Sequence, residues 1–166
     1  MRNTFAPLDD ALIERLFQPA SDSISHQTGL SRVGAIGFCV DLASLSWIMS
    51  RVGGVSDAVA AWDASTAFLD IALLLLGLVA LLGLRTLFRR AGGKQGNPLR
   101  MAMRPHRAIV LLMLLARLAQ LRAPALADMA DLAMLVFAAA ALYLGACAER
   151  PPVPRIWAAV APASAS

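Results

Sequence analysis

The sequence predicts an all-α integral membrane protein with four transmembrane helices, and three observations support that fold class. First, 58% of the 166 residues are hydrophobic and 16% are charged, whereas soluble domains average about 45–50% apolar and about 25% charged residues. Second, four apolar segments follow one another along the chain. Third, basic residues concentrate in one loop between them. The composition excludes extensive disorder, and the length excludes a large multidomain enzyme.

Residues 1–32 form a polar N-terminal segment in which residues 8–18 predict a short amphipathic helix. Apolar residues cover one side of this helix: Leu8, Leu12, Ile13, Leu16 and Phe17. Pro19 is expected to end it, and the Ser-rich residues 19–30 are expected to form a loop. No cleavable signal peptide is expected, because the first apolar run begins only near Val33.

The amphipathic helix is acidic: Asp9, Asp10 and Glu14 against Arg15 give a net charge of −2. A helix that binds an anionic lipid surface is typically basic. The charge therefore favours docking on a protein, and a helix that simply lies on the bilayer is the open alternative.

The four predicted membrane spans are residues 33–50, 65–84, 108–121 and 126–148. A bilayer core about 30 Å thick requires about 20 helical residues. The third segment has only fourteen residues, so it must use flanking residues, thin the membrane or enter without crossing. Since only a tight turn separates the third and fourth segments, we expect two helical hairpins.

The loop of residues 85–107 contains no acidic residue and seven basic ones: Arg85, Arg89, Arg90, Lys94, Arg100, Arg104 and Arg107. The positive-inside rule places this basic loop in the cytoplasm. Both termini, including the Pro-rich tail 149–166, are then cytoplasmic. The loop can attract anionic lipid headgroups, and a specific partner site is the alternative. Because the basic residues are confined in this way, no nucleic-acid partner is expected.

Arg outnumbers Lys fourteen to one, and Ala and Leu are abundant. This usage favours a bacterial source, and hence the bacterial inner membrane. The two cysteines, Cys39 and Cys147, are too few and too far apart for a disulfide framework or a typical zinc site.

Ionisable residues inside membrane spans are costly and are candidates for function. Asp70, Arg117 and Asp131 lie about five residues inside the outer ends of their spans, which predicts a mutually neutralising charge cluster. The alternative is that Arg117 extends outward to the lipid headgroups.

Asp41 lies near the middle of the first span, with no basic residue expected at its depth. It is interpreted as structural, as partner-facing or as part of a proton or ion route. Small residues on helix stripes predict close packing between helices: Gly34, Gly37, Ser44, Gly77, Ala138 and Gly145.

The sequence contains no HExxH, GxSxG or phosphate-loop motif and no metal-spaced Cys/His set. We therefore expect no metal and no cofactor, and the sequence identifies no small-molecule substrate. An intramembrane enzyme would depend on the Asp residues alone. Asp128 with Asp131 could hold a cation only with further ligands that the sequence does not supply.

These features favour a non-catalytic accessory or scaffold subunit of a larger membrane complex, with other membrane subunits and lipids as partners. The alternative function is a small homo-oligomeric transporter or channel for protons or cations.

Overall fold

The structure of the protein, a computed structural model, describes residues 5–91, 98–120 and 125–148, in which no strand is present. The elements are α1 (Phe5–Leu12), a π-helical turn (Ile13–Phe17), α2 (Gln18–Thr28), α3 (Arg32–Ala60), α4 (Ala64–Ala91), α5 (Pro98–Ala102), α6 (Arg104–Gln120) and α7 (Leu126–Ala146). Three helices, α3, α4 and α7, are long and apolar enough to cross a membrane. The described part of the protein is therefore all-helical, with the properties of an integral membrane protein. The predicted tail 149–166 and the turn 122–124 lie outside the described residues.

The N-terminal helix is longer than predicted, because Pro19 does not end it. Helical structure continues from Phe5 to Thr28, so most of the predicted loop is helical. Pro19 follows the π-helical turn, in which the Gln18 N–H donates to the Ile13 carbonyl five residues earlier. Proline normally clashes with the carbonyl four residues before it, and the wider π turn leaves room for the ring. The helix ends at Gly29, whose φ of 70° is left-handed.

Helices α3 and α4 extend well beyond the predicted spans. Only residues 61–63 separate them, and α4 continues past Leu84 to Ala91. Asp63 caps α4 by accepting hydrogen bonds from the hydroxyls and backbone N–H groups of Thr66 and Ser65. These hydrogen bonds, the one from the Thr66 hydroxyl first, lower the pKa of Asp63 to about 2.

Four helices lie side by side in an open row with the order α4, α3, α7, α6. Helix α7 packs most extensively against α3 and also packs against α6, whereas α4 packs chiefly against α3. The shared core contains Val40 of α3, Leu81 of α4 and Leu142 of α7. No residue from Ala64 to Ala80 of α4 is buried, whereas 56% of the most apolar 18-residue stretch of α7 is buried. The row therefore has a covered centre and a bare edge at α4.

One end of this row collects six arginines, and we call it the arginine-rich end: Arg85, Arg89 and Arg90 of α4, Arg100 of α5, and Arg104 and Arg107 of α6. Arg85 of α4 meets α3 there, while Arg107 near the start of α6 lies over Tyr143 near the end of α7. Helix α1 and the π-helical turn also pack at this end, against α6 and α7 respectively. The N-terminal helix thus docks on the chain itself.

Candidate functional site

A buried ion pair joins the N-terminal helix to α6 at the arginine-rich end. Arg107 donates to both carboxylate oxygens of Asp9, at 2.8 and 2.6 Å, and to the Arg100 carbonyl at 2.7 Å. Arg104 adds a hydrogen bond to Asp9 at 3.1 Å. The side chains of Asp9 and Arg107 are fully buried. A buried carboxylate is stable in its charged form only when it is paired in this way.

Two further acidic residues of the helix complete the contact at its rim. Asp10 accepts hydrogen bonds from Arg100 and Arg104 at 3.0–3.1 Å, and Glu14 accepts one from Arg100 at 2.9 Å. The Glu14 hydrogen bond is the main reason that the pKa of Arg100 lies above its ordinary value. We call these six residues the docking cluster: Asp9, Asp10, Glu14, Arg100, Arg104 and Arg107.

Apolar and amide contacts continue the docking surface toward the end of α7. Phe17 stacks on Tyr143 with ring centroids 4.5 Å apart, and the Arg107 guanidinium lies 5.5 Å from the centre of the same Tyr143 ring. Ile13, which is 1% exposed, packs in an apolar cluster with Tyr143 of α7. Gln18 donates to the Ala148 carbonyl and accepts from the Ala148 N–H. The contacts of the N-terminal helix with the rest of the chain therefore extend from Asp9 to Gln18.

The pKa of Asp9 shows which effect dominates in the docking cluster. Burial raises the pKa of this carboxyl, but the hydrogen bonds and charges of Arg107 and Arg104 together lower it below its ordinary value of 3.8. Asp9 therefore stays ionised at neutral pH. Because the pKa of Asp9 is lower in the docked state than in the undocked state, Asp9 stabilises the docked helix fully above pH 3.8. This stabilisation is lost as the pH falls through the docked-state pKa.

Asp41 has a basic partner, which corrects the expectation that it stands alone. Arg85 Nη1 lies 2.7 Å from Asp41 Oδ1, and the two side chains are 43% and 55% exposed. The reason is that α4 does not end at Leu84, so Arg85 is helical and lies against α3. Asp41 lies nine residues after Arg32 and nineteen residues before Ala60, in the half of this 29-residue helix that is closer to the arginine-rich end.

The three residues of the predicted outer cluster are only partly brought together. Arg117 Nη2 lies 3.1 Å from Asp131 Oδ2, with the Asp131 side chain 16% exposed. Asp70 instead lies beside Gly54 of α3, and among the described residues no ion pair joins it to Arg117. Asp128 accepts a hydrogen bond from the Ala125 N–H at 3.1 Å. Asp128 thus caps α7 through its Oδ2 and Asp131 binds Arg117 through its Oδ2, while Asp131 Oδ1 is buried without a hydrogen-bond partner among the described residues.

Of the six predicted packing residues, three lie against side chains of another helix, one is buried, and two make local hydrogen bonds. Gly77 and Gly145 contact large aromatic side chains: a Cβ at Gly77 would overlap the Trp47 indole, and one at Gly145 would overlap the Phe88 ring. Gly37 lies under the Arg85 side chain, and Ala138 is buried. By contrast, the hydrogen bonds of Gly34 and Ser44 are local: Gly34 donates its N–H to Ser31, and Ser44 donates to the Val40 carbonyl.

The predicted lipid-facing basic loop is largely helical, and several of its arginines face protein. Arg107 is fully buried, Arg104 is 21% exposed, and Arg85 and Arg100 are in ion pairs. For Arg100, Arg104 and Arg107 the cause is the N-terminal helix, whose acidic face occupies this surface. Arg85 pairs with Asp41 of α3 instead. Arg89 and Arg90 of α4 are exposed, and Lys94 lies outside the described residues.

Sequence reasoning missed the docking cluster because it treated the acidic helix and the basic loop separately. The signal was present, since an acidic helix and a basic segment without acids are complementary in charge. Tyr143 carried no such signal, because an aromatic residue in an apolar span is ordinary.

No group of three or more His, Cys, Asp or Glu side chains is placed to hold a metal ion in the described part of the chain. Comparisons with protein-family models, with curated protein sequences and with solved structures found no match. The geometry of this chain is therefore the basis for a functional proposal.

Proposed function

We propose that this protein is a small non-catalytic accessory or scaffold subunit of a larger membrane complex, in the bacterial inner membrane. Its four membrane helices would form two hairpins, with both termini and the arginine-rich end in the cytoplasm. In this arrangement α6 is the fourth, short membrane helix, and the docking cluster lies at the cytoplasmic surface.

The observation that carries the proposal is the open row of helices. Helix α4 has one main neighbour, and none of its residues from Ala64 to Ala80 is buried. Exposed apolar side chains extend along it, including Phe68, Leu76 and Val79, which are 72%, 66% and 66% exposed. An edge helix of this kind presents a long uniform surface on which a helix of another subunit can pack.

The pairing of charges supports the same proposal. Arg117 with Asp131, and Arg85 with Asp41, are ion pairs that join neighbouring helices. The docking cluster likewise joins the N-terminal helix to α6. Charges used in this way hold the fold together, as a scaffold requires.

The proposal is tested by photo-crosslinking along α4 in native membranes. A photoreactive residue at Leu76, which is 66% exposed, should crosslink to one unlike protein chain at a single site. The matched control is Leu81 on the same helix, which is 9% exposed and should crosslink within its own chain. Adducts of Leu76 with lipid alone would contradict the proposal.

A homo-oligomeric transporter or channel is the second candidate, and the exposure of Asp41 is the observation that favours it. The Asp41 side chain is 55% exposed despite its ion pair with Arg85. A single open row encloses no path, so this function needs several copies of the chain. In proteoliposomes, loss of proton or cation flux in Asp41→Asn with intact assembly would favour transport. Loss of assembly in that variant would favour the scaffold.

A further inference from the structure

A groove with a volume of about 410 Å³ lies between α3 and α4 at the arginine-rich end. Its apolar lining includes Val33 and Phe38 of α3 and Phe88 of α4. Gly37 contributes no side chain, and a Cβ there would lie 3.7 Å from Arg85 Nε. A side chain longer than alanine at position 37 would therefore extend into the groove.

The charges that line the groove do not cancel. Arg85 and Arg89 are two cations against the single carboxylate of Asp41, which leaves one net positive charge. Arg85 is paired with Asp41. Arg89 is exposed, and no ion pair joins it to a carboxylate of the described residues. The groove thus combines an apolar wall with one uncompensated cation at its mouth.

We propose that this groove binds one anionic phospholipid of the surrounding bilayer, with its phosphate at Arg89 and an acyl chain along Phe38. A phospholipid matches these two parts of the groove, because its negative phosphate can bind the cation and its apolar acyl chain can lie along the apolar wall. Phe38 is 60% exposed on a membrane-length helix, so an acyl chain can reach it from the bilayer. Basic side chains at a helix end lie at the depth of the headgroups. This site does not depend on the proposed accessory function.

The charge part of the site is tested by counting retained lipids. The whole chain is reconstituted in nanodiscs of phosphatidylglycerol and phosphatidylcholine, released into mild detergent, and measured by native mass spectrometry. We expect one phosphatidylglycerol per chain. Arg89→Gln should lower its retention about fivefold, the factor equivalent to about 1 kcal/mol per basic residue at an anionic surface. Arg90→Gln is the matched control, because Arg90 is the exposed neighbour that does not line the groove.

The apolar part is tested with a photoreactive residue at Phe38 and with Gly37→Leu, which fills the groove. A phospholipid adduct at Phe38, lost in the Gly37→Leu background, supports the site. A peptide adduct at Phe38 would assign the groove to a partner protein and overturn the proposal. Equal retention of the two phospholipids, or equal losses in Arg89→Gln and Arg90→Gln, would also overturn it. Arg89 and Arg90 are exposed, so both of these variants are expected to fold.

Discussion

Replacing Asp9 with asparagine should release the N-terminal helix while leaving the membrane helices packed. The change removes the only carboxylate among the described residues that is bonded to the buried Arg107, and it leaves that guanidinium charged and fully buried. Removing one partner of a buried ion pair costs about 3–5 kcal/mol. That cost corresponds to about two to four orders of magnitude in the equilibrium between docked and undocked helix. Asp10→Asn is the matched control, because its side chain is 40% exposed and exposed pairs contribute about 0.2–1 kcal/mol.

The assay is hydrogen–deuterium exchange of residues 5–28 in detergent micelles, with α7 as the internal reference. Asp9→Asn should abolish most protection of the N-terminal helix, whereas Asp10→Asn should lower it less than about tenfold. A compensating change, Asp9→Leu with Arg107→Met, should restore much of the protection, since apolar residues can replace a buried ion pair. Equal effects of Asp9→Asn and Asp10→Asn would refute the reasoning, because burial would then make no difference.

Three further predictions concern pH, the outer ion pair and the helix contacts. Exchange protection of residues 5–28, corrected for the intrinsic rate, should be constant above about pH 5 and fall as the pH drops below 3.8, because the docked state lowers the pKa of Asp9; a fall beginning near neutral pH would contradict this. Asp131→Asn should lower the free energy of unfolding in detergent by about 1–3 kcal/mol, because its hydrogen bond to Arg117 is lost. Asp70→Asn should change the free energy of unfolding little. A larger loss in Asp70→Asn than in Asp131→Asn would instead support the predicted pair of Asp70 with Arg117. Gly77→Ala should destabilise the protein by about 1–3 kcal/mol because its Cβ would overlap Trp47; Gly83→Ala on the same helix, with nothing within 4 Å, should not destabilise it, and equal unfolding temperatures for these two variants would count against the packing.

The helical membrane class could be predicted from sequence because it depends on local composition. Apolar segments and clustered arginines are visible without knowing any tertiary contact. The lengths of the helices were harder to predict, because Arg51 to Ala60 and Arg85 to Ala91 are not apolar runs, yet they continue α3 and α4. Hydropathy detects the part of a helix that suits lipid, whereas the helix itself ends where a cap or a turn ends it.

The ion pairs show how far spacing can predict contacts. Asp41 lies 21 residues before Trp62 and Arg85 lies 23 residues after it, so a link centred on residue 62 brings them level on antiparallel helices. That inference required knowing that α3 and α4 join through residues 61–63. The contact between Asp9 and Arg107 spans 98 positions in sequence, and no helical period relates two such distant residues.

The most direct test of the accessory-subunit proposal is native mass spectrometry of the intact assembly. The tagged protein would be purified in mild detergent from the membrane in which it naturally occurs, at native expression level. The proposal predicts this chain together with unlike membrane chains at a fixed ratio, which persists after a second purification through the partner. An assembly made only of copies of this chain would contradict the proposal and favour transport, with Asp41 as the first residue to change.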